Sequence, residues 1–177
     1  MNNRIVLVGF SGAGKSTLAK KIAKHFDFSV IDTDKKLEEK YRISVYDIFE
    51  KYGEEVFRQL EYKILIEVLE QENVVIATGG GAACYSDAMQ RINEAAFSIY
   101  IELSSKSLAI RLLHAKVTRP NTKNKTEEEL LAYVEAQLGV RSEIYKRADF
   151  TVKGEDLDLQ ELLSILNRYN ESGTIKP

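Results

Sequence analysis

The segment Gly9-Phe10-Ser11-Gly12-Ala13-Gly14-Lys15-Ser16 restricts what this chain can become more than any other stretch. It matches G-x-x-x-x-G-K-S, follows the apolar run Ile5 to Val8, and opens a helical pattern over Lys15 to His25. Strand, glycine loop and helix start, in that order, make a cradle for phosphate. Glycines at 9, 12 and 14 permit close approach that a Cβ would obstruct. Successive N–H groups then turn toward phosphate oxygens at a helix N-terminus, where the backbone dipole favours anions. In such a loop Lys15 reaches the β- and γ-phosphates, and Ser16 offers a hydroxyl to Mg²⁺. The expected ligand is a nucleoside triphosphate, held by Gly12, Ala13, Gly14, Lys15, Ser16 and Thr17. A plain glycine turn with a solvated lysine would explain the pattern but not its flanks.

The rest of the chain continues the alternation. Short apolar runs occur at Ser29 to Ile31, Val74 to Ala77, Ser98 to Leu103 and Phe150 to Val152. Helical patterns lie between and after them: Lys35 to Tyr41, Val45 to Gln71 with a break at Gly53, Ser86 to Asn93, Lys106 to His114, Glu127 to Lys146, and Asp158 to Tyr169. Buried parallel strands joined by crossover helices give this spacing, so the expected class is α/β. Ser44 before Val45 and Thr126 with Glu129 have the form of helix caps. The 177 residues fit one domain over 1–177. Residues 115–125 are polar and lack periodicity, which suits either a lid or a plain connector.

A phosphate loop alone does not say what receives the phosphate. Asp32 and Asp34 end the second strand run, at the edge where open α/β sheets place ligands. One is expected to face a metal and the other an acceptor hydroxyl. A helix-capping pair is the other use of such aspartates. Arg58 and Glu61 share a helix face, as an acceptor site or as a surface ion pair. Gly79-Gly80-Gly81, after the third strand run, lets main chain lie flat against a ligand or makes a tight turn. Arg141, with Tyr145 and Arg147, lies near the end of a long helix, where cations are favoured. His25 and His114 read as surface or helix-end residues.

Together these features resemble the shikimate kinase family over roughly Arg4 to Leu166. The resemblance rests on G-F-S-G-A-G-K-S-T at 9–17, D-T-D at 32–34, F-R-x-L-E at 57–61, T-G-G-G at 78–81, R-P at 119–120 and R-S-E-I-Y-K-R-A-D at 141–149. It implies a three-layer P-loop fold with a five-stranded parallel sheet of order 2-3-1-4-5 and a lid loop. It also implies ATP-dependent phosphorylation of the 3-hydroxyl of shikimate, on the route to chorismate and the aromatic amino acids. By the same carry-over Asp34 receives that hydroxyl, Arg58, Gly79, Gly80, Gly81 and Arg141 hold the substrate, and Arg119 swings in to the transferring phosphate. Lys15, Asp34 and Arg119 are thus the expected catalytic residues, and Ser16 and Asp32 the expected Mg²⁺ residues. Arg111 and the Lys153-Gly154-Glu155 loop are candidates for contacts to the nucleotide. At the lid this chain reads Arg119-Pro120-Asn121-Thr122 where the family usually reads R-P-L-L. A kinase for another polar acceptor, such as gluconate, and a non-catalytic nucleotide-binding protein are the competing readings.

Composition narrows the setting. A formal charge of −2 argues against nucleic acid as the main partner. No run approaches the length of a membrane span, and the N-terminal residues lack the form of a signal peptide. The single cysteine, Cys84, cannot form an internal disulfide, which suits a reducing compartment. The expectation is a cytoplasmic monomer that acts on small molecules.

Overall fold

Alternation along the first strand divides the interior in two. In the computed structural model, which describes residues 3–115 and 122–172, β1 (Arg4–Val8) sends Ile5 and Leu7 into one hydrophobic layer and Val6 and Val8 into another. This is the period of two that a pleated strand imposes. β1 is the middle of a five-stranded sheet of order β2-β3-β1-β4-β5. The other strands are β2 (Ser29–Asp32), β3 (Val74–Ala77), β4 (Phe97–Glu102) and β5 (Phe150–Lys153), and every pairing is parallel. The order implied by the family resemblance is the order found.

Helices cover both faces. Leu18, Ala19 and Ile22 of α1 (Lys15–Phe26) and Leu162, Leu163 and Leu166 of α7 (Leu159–Ser172) pack on the side of Leu7. Ile64, Leu65 and Val68 of α3 (Val45–Val68) and Met89 and Ile92 of α4 (Ala88–Ala95) pack on the side of Val6 and Val8. The remaining helices are α2 (Thr33–Tyr41), α5 (Ser105–Leu113) and α6 (Glu127–Tyr145). β3 is buried along its whole length, whereas edge strand β2 exposes Ser29 and Val30, and edge strand β5 exposes Thr151 and Lys153. That is why the two edge runs read as shorter and less apolar.

Local signals hold. Ser44 Oγ accepts from Asp47 N at 3.0 Å, and Thr126 with Glu129 closes both bonds of a capping box. Gly53 breaks α3 as expected, with φ 81° and ψ 171°. Boundaries differ by up to three residues: α3 ends at Val68 rather than Gln71, α4 runs Ala88–Ala95 rather than Ser86 to Asn93, and α2 begins at Thr33 rather than Lys35, because Asp32 serves as its N-cap and accepts from Lys35 N at 3.3 Å. Among the described residues no helix is long and apolar enough to cross a membrane. All five strands run in one direction, so the loops after β1, β2 and β3 meet at a single edge.

Candidate active site

The loop after β1 is held by its own lysine. Gly14, with φ 95°, is the N-cap of α1, and Lys15 follows it with only 7 % exposure. Lys15 Nζ donates to Gly9 O and Phe10 O, both at 2.7 Å. From α5, Arg111 Nη1 donates to Gly12 O at 3.4 Å and Ala13 O at 3.3 Å, so this guanidinium lies against the phosphate loop. Two cations thus flank a helix N-terminus, which is an anion site. Both histidines are exposed, His25 in the last turn of α1 and His114 at the end of α5.

The D-T-D segment divides its work differently from the expectation. Asp32 and Asp34 do not share an extended strand; Asp32 ends β2, the chain turns at Thr33, and Asp34 lies in the first turn of α2. Asp32 Oδ2 accepts from Ser16 Oγ at 2.6 Å while its Oδ1 caps α2. The capping use and the use beside Ser16 therefore coexist on one carboxylate. Between the aspartates, the Thr33 hydroxyl accepts from Gly79 N at 2.9 Å. Ser16 and Asp32 present hard oxygen donors side by side, the donor set that Mg²⁺ takes.

Three consecutive glycines form the wall opposite. A Cβ on Gly79 would lie 2.1 Å from Glu61 Oε1 and 2.7 Å from Asp34 Oδ1. On Gly80 it would lie 2.7 Å from Ser11 N of the phosphate loop, and on Gly81 2.5 Å from Arg58 Nη1. Each glycine is thus the closest approach of different groups: the two carboxylates, the phosphate loop, and the α3 arginine.

Arg58 is not part of a surface ion pair. Its side chain is 13 % exposed and that of Glu61 only 1 %. Nη1 donates to Glu61 Oε2 at 2.6 Å, and Nη2 reaches Glu54 Oε1 at 3.0 Å. Burial by itself pushes the guanidinium pKa down, but Glu61 and Glu54 outweigh it and the net shift is upward. The cation is fixed in charge and direction. Arg141, on α6, stands with its guanidinium carbon 5.7 Å from the centre of the Phe10 ring. Arg58, Gly81, Cys84, Gln137 and Arg141 line a cavity of about 330 Å³. Asp34 is not in its wall; it meets the cavity's residues through the glycine turn. Burial pushes the Cys84 thiol up.

The remaining candidates separate. Arg119 and Pro120 lie outside the described residues. Beyond them Lys123 Nζ donates to Tyr46 Oη at 2.9 Å, which anchors that end of the segment to the start of α3. In the Lys153-Gly154-Glu155 loop, Glu155 Oε1 accepts from Ser104 N at 2.8 Å, so the loop braces the start of α5, the helix that carries Arg111. Thr33, Ser11 and Glu54 carry contacts that spacing did not reveal. Thr33 was legible only as the middle of D-T-D, and the partner of a Gly79 N–H cannot be read across 46 residues.

A phosphate loop, an oxygen pair at Ser16 and Asp32, and a buried acidic and cationic wall beside them define a P-loop phosphotransferase with a small acceptor. The family model described as shikimate kinase matches residues 11–168. The chain belongs to the shikimate kinase family. It is 42 % identical to a shikimate kinase of Parabacteroides distasonis, over 87 % of this chain and 89 % of the relative. A crystal structure of shikimate kinase from Bacteroides thetaiotaomicron superposes with TM-score 0.84 at 37 % identity, covering 95 % of this chain and 96 % of that one. A shikimate kinase from Acinetobacter baumannii in complex with shikimate superposes at 0.83 with 27 % identity, covering 98 % and 95 %.

Proposed function

We propose that this chain transfers the γ-phosphoryl group of ATP to the 3-hydroxyl of shikimate, giving shikimate 3-phosphate and ADP. The observation that carries the reading is the glycine turn. Gly79, Gly80 and Gly81 approach Asp34, the phosphate loop and Arg58 respectively, so acceptor and donor sites share one stretch of main chain.

The residues divide as follows. Backbone N–H groups of the phosphate loop and Lys15 hold the triphosphate, with Arg111 against the same loop. Arg58 and Arg141 present guanidinium groups to one cavity, and a guanidinium fork takes a carboxylate through paired hydrogen bonds. That fixes the acid end of shikimate. Asp34 orients the acceptor hydroxyl and takes its proton as the new O–P bond forms and the bond from the γ-phosphorus to the bridging oxygen breaks. Ser16 and Asp32 would hold Mg²⁺, which neutralises charge on the phosphate oxygens when bound. Arg119 is assigned the charge that spreads over the transferring group, from its place in the R-P pair. The reaction belongs to the cytoplasm, and both substrates are small molecules.

The test is a coupled ADP-release assay with Asp34→Asn. The expected outcome is a fall in kcat of roughly 10²-fold or more, as general-base losses run, with ATP affinity retained. Normal turnover by the variant would remove Asp34 from this role. Preference for gluconate over shikimate by the unaltered chain would replace the acceptor.

A further inference from the structure

Tyr145, in the last turn of α6, is fully buried, and nothing so far uses it. Its hydroxyl donates to the carbonyl of Gly80. Its ring stacks on Tyr100 of β4, centroids 5.2 Å apart. From another direction Gly80 lies close against Ser11 of the phosphate loop, whose N a Cβ there would approach to 2.7 Å. The glycine turn is therefore clamped between the phosphate loop and the helix that bears Arg141. Arg141 and Tyr145 are four apart on that helix, hence on one face. Burial drives the Tyr145 hydroxyl far above the ordinary phenol range; Cys84 adds to this and Arg141 opposes it. The group keeps its proton and remains a donor at any physiological pH. Phenylalanine would satisfy the stacking alone, so packing does not account for the hydroxyl.

A trans peptide carries its C=O and N–H in opposite directions. Holding the Gly80 carbonyl on Tyr145 therefore fixes the plane of the Gly80–Gly81 peptide and the direction of the Gly81 N–H. Gly81 lines the same cavity as Arg58 and Arg141. We propose that Tyr145 is a positioning residue for the acceptor: its hydroxyl sets that peptide plane, and the spacing between the glycine turn and Arg141, at the values shikimate needs. This assignment rests on shikimate being the acceptor. It touches no reacting atom and acts through Gly80 and its neighbour Arg141.

The experiment is steady-state kinetics of Tyr145→Phe against the unaltered protein, varying each substrate in turn, alongside thermal melts. KM for shikimate is expected to rise about tenfold, the factor one lost hydrogen bond represents, while KM for ATP stays within about twofold. ATP in the preparation keeps a weakened variant folded by mass action. An unaltered KM for shikimate with a lowered Tm makes the hydroxyl merely structural and overturns the proposal. Where the phenylalanine variant does not fold, 3-fluorotyrosine at 145 retains ring and hydroxyl but changes the hydrogen bond. It should shift KM for shikimate at least about twofold without moving that for ATP, and no shift overturns the role. Absence of shikimate turnover by the unaltered protein fails the acceptor reading itself, and this assignment with it. Normal turnover with an indifferent variant fails the tyrosine alone.

Discussion

Gly79 is the tightest residue of the acceptor wall. Two carboxylates, from Glu61 and Asp34, reach into the space a Cβ would need, and one of them would stand at 2.1 Å. Gly79→Ala must therefore move Asp34 or break the Glu61 contact to Arg58. Displacement of a reacting group by about 1 Å can cost 10²-fold, so kcat/KM for shikimate should fall by roughly that factor. ATP affinity, measured by calorimetry, should stay within about twofold, because the atoms nearest a Cβ at 79 belong to the two carboxylates. Parallel losses for both substrates would mean that the two sites are less separate than the contacts indicate. At this scale the sequence disclosed residue types better than partners. The glycines, Arg58, Glu61 and Arg141 were all visible as candidates. That Glu61 is buried and grips Arg58 was not, since an i to i+3 pair reads the same on a surface and in a wall. The role of Tyr145 was hidden because its partner is 65 residues away.

Elements show the same division between local and distant signals. The capping box at Thr126 and Glu129 was legible because both halves lie within four residues, and it is fully formed. The break of α3 at Gly53 was legible for the same reason. The start of α2 was misjudged by two residues, since an aspartate that ends a strand and one that caps a helix look alike until the strand register is known. The support of α5 by Glu155 is a long-range cap, and nothing local announces it. It has a pH signature. The Ser104 N–H holds the Glu155 carboxyl below its ordinary value of 4.5. A carboxyl lowered in the folded state contributes stability above its unfolded pKa, and loses it as pH falls through the folded value. Glu155→Gln should therefore melt below the unaltered chain near neutral pH, with the two Tm values converging as the pH is taken below about 4. A constant gap across that range would mean the carboxylate charge is not what holds α5.

Across the whole molecule, parallel strands separate chemistry from anchorage. The loops after β1, β2 and β3, which carry candidate active-site contacts, leave the carboxyl end of the sheet, whereas the amino end is free to be secured. Which strand neighbours which is decided by non-local pairing, so periodicity gave five runs without an order; the order came from the family likeness. At the amino end Arg4 opens β1 and donates Nη1 to Ala95 O at 2.7 Å and Nε to Gln71 O at 2.5 Å. One guanidinium thereby ties the central strand to the end of α4 and to the chain leaving α3. Its contacts are partly solvated, and the carbonyls it leaves can turn to water. The cost of Arg4→Ala should therefore be about 1–3 kcal/mol, as for hydrogen bonds to a charged group. For a chain of this length that corresponds to a Tm lower by roughly 2–12 °C. KM for ATP and for shikimate should not change, because the partners of Arg4, Gln71 O and Ala95 O, lie at the amino end of the sheet, opposite the loops after β1, β2 and β3. The rise in Tm on adding saturating ATP and shikimate should also be the same in both proteins, since ligand linkage depends on affinity alone. A variant that melted normally but bound shikimate poorly would show that the anchored end of the sheet is coupled to the reactive one.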